Sequence, residues 1–418
     1  MDTQLADWIK DTPEGQTAEA ILRKCVHCGF CTATCPTYQI LGDELDSPRG
    51  RIYLIKQVLE GKQVTRKTQQ HLDRCLTCRN CESTCPSGVK YGQLIDIGRK
   101  VVDEKVERPA GEQFKRNALK TLMTTPALFN TGMALGKAVR GILPASIKAK
   151  VPASRYNPHF ASNTHSRKVI LLKGCVQPAM VPSIDNATSV ILDALNIQSM
   201  VVSESGCCGA VKFHLNDHDG GKAQMKANID AWYPLLASGE AEALVMNASG
   251  CGVTVREYHH HFEHDPAYAT KAKLVSDKTM DIGEYLLKQN ADSVAALGTQ
   301  VKAAMNQQRI PQRIAFHPPC TLQHGQQLKG VVEGLLTKLG FELTPVAESH
   351  LCCGSAGTYS VLQPELSSQL KERKLNNLMA GKPQAIASAN IGCLTHLEGS
   401  ASVDVRHWVE WVAQALSA

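Results

Sequence analysis

The sequence predicts a protein in two parts: a small, cysteine-rich α-helical domain, then an α/β region of two repeated units with parallel sheets. Three observations predict this fold class. One cysteine motif occurs twice near the start of the chain, a Cys-Cys-Gly unit occurs twice further along, and strand-like and helix-like segments alternate within each unit. Such alternation favours a parallel sheet with helices on its faces.

The cysteine motifs and the repeat divide the chain into four predicted segments. The segments are 1–110, a helical domain; 111–165, a basic helical connector; 166–300, the first Cys-Cys-Gly α/β unit; and 301–418, the second. In both units the first cysteine and the Cys-Cys pair stand 32 positions apart. Each half therefore follows one plan.

The first domain is predicted to hold two 4Fe–4S clusters. Residues 25–36 read C-x₂-C-x₂-C-x₃-C-P, and residues 75–86 repeat that spacing. This is the run of two-cluster bacterial ferredoxins, in which the fourth cysteine of each motif ligates the cluster of the other motif. The predicted ligands are Cys25, Cys28, Cys31 and Cys85 for one cluster, and Cys75, Cys78, Cys81 and Cys35 for the second.

Structural zinc is the alternative for these motifs. Zinc usually takes two C-x₂₋₄-C pairs around one ion, so two complete four-cysteine sets with a terminal proline favour iron–sulfur. An amphipathic helix over 47–60 separates the motifs and is typical of helical di-cluster domains in respiratory enzymes. Its Arg49 and Arg51 could tune a cluster or meet an acidic partner, although surface or capping charges are the favoured interpretation.

The α/β units carry the other eight cysteines. Each predicted cysteine site follows a strand, at the sheet edge where such folds place ligands. The sets are Cys175, Cys207, Cys208 and Cys251, and Cys320, Cys352, Cys353 and Cys393. An additional metal centre is one interpretation, either an unusual cluster or a Cys/His zinc site; reduced structural cysteines or a redox dithiol are the others. The histidines that could join are His214, His317, His324 and His350.

Composition and charge indicate where in the cell the protein lies and which part of it could contact a partner. The polar N-terminus lacks the features of a signal peptide, and no apolar run reaches the roughly 20 residues of a spanning helix. We therefore expect a cytoplasmic protein whose thiols stay free of disulfides. Residues 113–184 contain eleven Lys and Arg and no Asp or Glu. This segment is either a docking surface for anionic lipid or an acidic partner, or a basic linker packed over a domain.

Motifs for other chemistry are absent from the sequence. It contains no G-x-G-x-x-G after a strand, no phosphate loop and no Ser/His/Asp elbow. Clusters move one electron at a time, whereas organic substrates usually lose two, and a flavin normally joins the two processes. We therefore expect FAD on partner subunits only. A zinc-stabilised module that binds nucleic acid is the competing hypothesis, although no nucleic-acid partner is expected.

The sequence resembles the iron–sulfur subunits of bacterial glycolate oxidase (glycolate dehydrogenase) over nearly the whole chain. Residues 25–38, 43–51 and 75–81 carry the resemblance most clearly. It implies a complex with FAD-containing subunits that oxidises glycolate to glyoxylate, with no catalytic residue on this chain. Electrons would pass through the clusters to a quinone-type acceptor, with the complex peripheral on the cytoplasmic face of the inner membrane.

Related subunits share this architecture and supply the alternative functions. They serve lactate oxidation, anaerobic glycerol-3-phosphate oxidation and heterodisulfide reduction. The fuller heterodisulfide reductase repeat ends in C-x-x-C, but here Ala248 and Asn390 stand at the earlier position of that pair. Each unit thus has one ligand fewer than that pattern, which makes disulfide reduction a weaker expectation.

Overall fold

The computed structural model describes residues 1–144, 148, 151–153 and 155–417. The predicted connector, 111–165, lies partly outside these residues. No helix in the described parts of the chain is long and apolar enough to cross a bilayer.

The N-terminal domain is helical. Its helices start at strong capping signals: Thr12 and Ser47 each accept a hydrogen bond from a backbone amide of the first turn, and a proline follows each of them. The helices are α1 (Pro13–Lys24), α2 (Pro36–Leu41), α3 (Pro48–Leu59), α4 (Arg66–Asp73), α5 (Asn80–Thr84) and α6 (Tyr91–Lys105). Apolar faces of α1, α3 and α6 form its core, and α3 is the helix predicted over 47–60.

Two helices follow this domain. They are α7 (Ala110–Thr124) and α8 (Pro126–Ala138), separated by Thr125. Neither packs as a core helix: α8 buries none of its residues, and α7 buries only Thr124. The pair therefore presents most of its surface to solvent.

The first α/β unit contains a four-stranded parallel sheet. Its strands are β1 (Arg167–Leu171), β2 (Ile197–Met200), β3 (Ala243–Met246) and β4 (Thr279–Asp281). They lie in the order β2-β1-β3-β4. The helices are α9 (Gln177–Met180), α10 (Ser183–Ala194), α11 (Ala210–His214), α12 (His218–Ala237), α13 (Ser249–Arg256), α14 (Tyr258–His261), α15 (Ala269–Lys278), α16 (Ile282–Leu287) and α17 (Ala291–Asn306).

The second unit repeats this arrangement. Its strands are β5 (Arg313–His317), β6 (Glu342–Leu343), β7 (Ala385–Ser388) and β8 (Asp404–His407), in the parallel order β6-β5-β7-β8. Its helices are α18 (Val331–Leu339), α19 (Tyr359–Leu362), α20 (Pro364–Met379), α21 (Ile391–Glu398) and α22 (Trp408–Leu416). The predicted fold class, a helical cysteine-rich domain followed by two repeats with parallel sheets, is confirmed.

One apolar core joins the two units. Val169 of β1 and Phe316 of β5 belong to the same buried cluster, and α10 of the first unit packs against α22 of the second. Because the cluster is continuous, the two sheets are held in a fixed relation to each other. In each unit a cysteine or the cysteine pair follows each of three strands by three to nine residues, so the eight cysteines lie beyond the carboxyl edges of the sheets.

The helical domain packs on these loops. Tyr359 donates a hydrogen bond to the Arg74 carbonyl at 3.2 Å, and Asn80 donates one to the His350 carbonyl at 3.2 Å. On the side of the first unit, Arg79 forms an ion pair with Glu257. The cysteine motifs are thereby placed between the outer surface of the helical domain and the cysteine loops of the α/β units.

Candidate metal centres

The two C-x₂-C-x₂-C loops have the same backbone conformation. His27 and Thr77 occupy the left-handed region with φ of 54° and 53°, and two positions later Gly29 and Arg79 do so with φ of 86° and 58°. A left-handed residue between successive cysteines turns the chain, so the thiols point to one side. Glycine adopts this conformation freely, whereas the side chain of Arg79 is fixed by a partly buried ion pair with Glu257.

The first cysteine cavity opens towards solvent. It is lined by all three leading cysteines of the first motif, Cys25, Cys28 and Cys31, together with Cys85 from the end of the second motif. Val26 and Phe30 form part of its rim and are 69% and 63% exposed. The fold thus brings the first predicted ligand set to one cavity, beside an exposed apolar rim.

The second cysteine cavity lies deeper and holds the second predicted set. Its lining includes Cys75, Cys78 and Cys81 of the second motif and Cys35 of the first. The Tyr91 hydroxyl donates a hydrogen bond to Cys75 Sγ at 3.5 Å, and Thr37 Oγ1 lies 3.3 Å from Cys35 Sγ. Cys81 lines both cavities, so the two are immediate neighbours.

The chemistry of these thiols suits metal binding. Burial raises the pKa of Cys31 to about 11 and raises the pKa values of Cys78 and Cys81 well above the usual range of a thiol. A thiolate is the form that binds metal, and a bound cation supplies the charge that makes deprotonation favourable at neutral pH. Four such thiols around each of two adjacent cavities fit a pair of iron–sulfur clusters.

Arg51 is buried beside the second cavity, so the interpretation favoured from the sequence is wrong for this residue. It was expected at the surface or at a helix cap, yet it is 1% exposed and lines the second cavity. Its guanidinium lies 3.3 Å from the buried carboxylate of Asp46. Burial disfavours its charge, but nearby Tyr91, Cys75, Cys35 and Asp46 hold the pKa of Arg51 above its ordinary value. Helical periodicity alone did not reveal this because α3 is enclosed by α6 on one side and by Asp46 on another.

In the first α/β unit the four cysteines form a connected group. Cys207 contacts Cys175 and Cys208, and Cys208 also contacts Cys251. Hydrogen bonds from its two thiol neighbours lower the pKa of Cys207 well below the usual range. The Tyr258 hydroxyl donates to the Cys208 carbonyl at 2.8 Å and so holds this loop.

In the second unit the cysteines also lie together, and a histidine joins them. Cys320 Sγ and Cys352 Sγ are 3.9 Å apart, and the Gly354 amide donates to Cys352 Sγ at 3.4 Å. A ring nitrogen of His317 and the thiols of Cys353 and Cys393 all lie within 4.8 Å of one another.

The other three candidate histidines do not belong to this group. His214 faces Asp96 at 3.5 Å. His324 lies 3.0 Å from the Ser83 hydroxyl and 2.9 Å from the His350 carbonyl. Position at the carboxyl end of strand β5 was the one signal that could have singled out His317.

The second unit also contacts the deeper cavity. Cys78 packs against a buried cluster that contains Leu76, Cys320, Cys352 and Tyr359. The thiols of the second unit thus lie beside a cysteine of the second cavity.

Comparison with known proteins agrees with this layout. A family described as 4Fe-4S dicluster domain matches residues 21–89, and one described as Cysteine-rich domain matches 169–256 and again 314–398. The glycolate oxidase iron-sulfur subunit of Escherichia coli (strain K12) is 50% identical over 418 residues, which is 100% of this chain and 99% of the relative.

More distant relatives include a probable glycolate oxidase iron-sulfur subunit of Bacillus subtilis (strain 168), 29% identical over 91% of this chain and 89% of its own. Lactate utilization protein A of Bacillus velezensis is 28% identical over 56% of this chain and 91% of its own. With half of its residues identical over the full length and with both domain types in the same order, this chain belongs to the family of glycolate oxidase iron–sulfur subunits.

Proposed function

We propose that this chain is the electron-transfer subunit of a glycolate-oxidising complex. A partner subunit with FAD converts glycolate to glyoxylate, and this chain carries the electrons away towards a quinone-type acceptor. The observation that carries the proposal is the pair of adjacent cysteine cavities, each with four thiols. The family match supports glycolate as the substrate, since the lactate utilization relatives cover only about half of this chain.

The proposed ligand sets follow the linings of the two cavities. Cluster 1 takes Cys25, Cys28, Cys31 and Cys85, and cluster 2 takes Cys75, Cys78, Cys81 and Cys35. A 4Fe–4S cluster supplies reversible one-electron storage when it is bound. The protein contributes a fixed separation, because each motif holds one ligand of the other's cluster.

Electrons enter at cluster 1 in this proposal. Its cavity reaches the surface, and the exposed Val26 and Phe30 beside it offer an apolar contact for the flavin subunit. Hydrogen bonds to ligand sulfur and a nearby positive charge raise the reduction potential of a cluster. Cluster 2 has both, from Tyr91 and the buried Arg51, whereas the Arg49 charge beside cluster 1 is partly exposed and more strongly screened by solvent, so we propose that electrons pass from cluster 1 to cluster 2.

A second surface is proposed to meet the cytoplasmic face of the inner membrane. On α7 and α8, Phe114 and Leu135 are exposed, and Ile142 follows them. Several basic side chains of this segment are used internally: Arg116 pairs with Asp73, and Lys137 donates to the Ala179 carbonyl. The apolar side chains, more than the charges, therefore suit a peripheral contact with lipid.

Cysteine substitution tests the electron-transfer role. The complex with its flavin subunits is purified anaerobically, and glycolate-dependent reduction of a quinone analogue is measured. Cys28→Ser and Cys78→Ser should each reduce this activity to background while glycolate still bleaches the flavin. Unchanged quinone reduction in Cys28→Ser would exclude a role for cluster 1 in the route.

Substitution of two exposed phenylalanines tests the two proposed surfaces separately. Phe30→Glu should weaken binding of the flavin subunit and leave recovery with membranes unchanged. Phe114→Glu should lower membrane recovery and leave turnover with a water-soluble quinone analogue unchanged. The substitutions are matched in chemistry and in exposure, at 63% and 74%, so a shared defect would contradict the assignment of the two surfaces.

A further inference from the structure

The buried histidine at the end of β5 has no hydrogen-bond partner among the described residues. His317 is 1% exposed, and neither ring nitrogen is hydrogen-bonded. A neutral imidazole offers a lone pair on one of its ring nitrogens. A buried polar atom without a partner is energetically unfavourable, and a bound ligand would remove that cost.

The atoms nearest to this lone pair are metal donors. A His317 nitrogen, Cys353 Sγ and Cys393 Sγ lie within 4.8 Å of one another, and all three residues are buried. Among the described residues, no three cysteines of the helical domain come together within that distance. Donors grouped this closely can share one ion, whereas the wider spacing in the helical domain leaves room for a cuboidal cluster.

Cys352 can supply a fourth donor. The thiol of Cys352 contacts that of Cys353, and the Gly354 amide already donates to Cys352 Sγ. Lys374 is 2% exposed and lies near these thiols, so a buried positive charge offsets part of their negative charge. Three thiolates and one imidazole form the Cys₃His donor set of closed, tetrahedral zinc sites.

The first α/β unit lacks a histidine at the position equivalent to His317. Leu172 stands three residues before Cys175, as His317 stands three residues before Cys320. The strand registers agree: Leu171 pairs with Val245 in the first sheet, and Phe316 pairs with Ala387 in the second. The difference between leucine and histidine at one equivalent position therefore separates the two units chemically.

We propose that the second α/β unit binds one zinc ion through His317, Cys352, Cys353 and Cys393. On binding, the three thiols release their protons to solvent and the neutral imidazole donates its lone pair. The ion joins the end of β5, the loop after β6 and the first turn of α21. Because Cys320 and Cys352 pack beside Cys78, this clamp would also fix the wall of the deeper cluster cavity.

Metal analysis of the full chain tests the proposal, which does not depend on the identity of the substrate. Anaerobically purified protein should contain about one zinc and about eight irons per chain. Zinc X-ray absorption should show three sulfur ligands and one nitrogen. Cys28→Ser should lose iron and keep zinc, so failure of the cluster assignment and failure of the zinc site give different results.

Substitutions at His317 provide the matched comparison. His317→Leu copies the residue of the first unit and should abolish zinc binding while most of the iron is retained. His317→Cys keeps a donor and should retain zinc even if the leucine variant folds poorly. His324→Asn replaces a histidine whose ring nitrogens already have polar neighbours, and it should leave the zinc content unchanged.

Three outcomes would overturn the zinc site. The first is wild-type protein without zinc. The second is unchanged zinc content in His317→Leu. The third is iron clearly above eight per chain with no zinc, which would place an iron centre in the second unit.

Discussion

At the scale of single residues, the buried guanidinium of Arg51 distinguishes the two clusters. It donates to the His71 carbonyl at 2.8 Å and to Thr37 Oγ1 at 3.2 Å, so it is held beside the deeper cavity by several partners. Arg49, two residues earlier on α3, is instead partly exposed and pairs with Glu44 at 2.8 Å. Solvent screens the charge of Arg49 much more than that of Arg51.

We therefore predict that Arg51→Gln lowers the midpoint potential of cluster 2 by roughly tens of millivolts, because a buried positive charge favours the reduced cluster. Arg51→Lys keeps the charge and should recover most of that shift. The potentials are measured by redox titration followed by electron paramagnetic resonance. Arg49→Gln serves as the control, and a shift of cluster 2 in that variant as large as in Arg51→Gln would contradict the argument.

At the scale of elements, the glycine of each Cys-Cys-Gly segment allows the cysteine loop to meet the following helix. Gly209 and Gly354 have φ of 91° and 89°. A Cβ at Gly354 would lie 2.6 Å from the Ser367 carbonyl oxygen of α20, and one at Gly209 would lie 2.8 Å from the Gly221 carbonyl oxygen of α12. Both the backbone conformation and the close approach exclude a side chain.

We expect Gly354→Ala to destabilise the protein by more than about 2 kcal/mol, since left-handed strain and overpacking add. Gly334→Ala is the matched control, because Gly334 is exposed within α18 and has no atom within 4 Å of its added Cβ. That control should be neutral or stabilising by up to about 1 kcal/mol. Denaturant unfolding measures both, and equal stability of the two variants would refute the explanation.

At the scale of the whole molecule, the two cysteine cavities differ in their access to solvent. Cys28 is exposed in the first, whereas the second is covered where Cys78 meets the cluster of Leu76, Cys352 and Tyr359. The α/β region therefore acts as a lid on one cluster and leaves the other open. This asymmetry gives the chain an outer cluster for a protein partner and an inner one that is protected.

Limited exposure to oxygen should accordingly destroy cluster 1 before cluster 2. Access of a small oxidant, and so the rate of damage, depends on the exposed area of the ligands. The measurement follows the loss of the two paramagnetic signals, which should occur in two steps. Spectra of Cys28→Ser and Cys78→Ser assign each signal to its cluster. Simultaneous loss of both signals would show that the difference in burial does not protect cluster 2.

The sequence was sufficient for the parts of this protein that depend on local spacing. Cysteines at fixed intervals on short loops identify the di-cluster domain, and repeated strand–cysteine–helix segments identify the two α/β units, because each pattern is contained within a short stretch of chain. The family resemblance rested on these same stretches, and full-length similarity confirms it.

Only the tertiary structure decided which distant residues meet. Arg51 had the appearance of a surface charge until the fold enclosed it beside the second cavity, and His317 was one of four candidate histidines until β5 brought it to Cys353 and Cys393. The physical reason is common to both: burial and the partners of a polar side chain are set by packing between segments far apart in sequence, which no local spacing encodes.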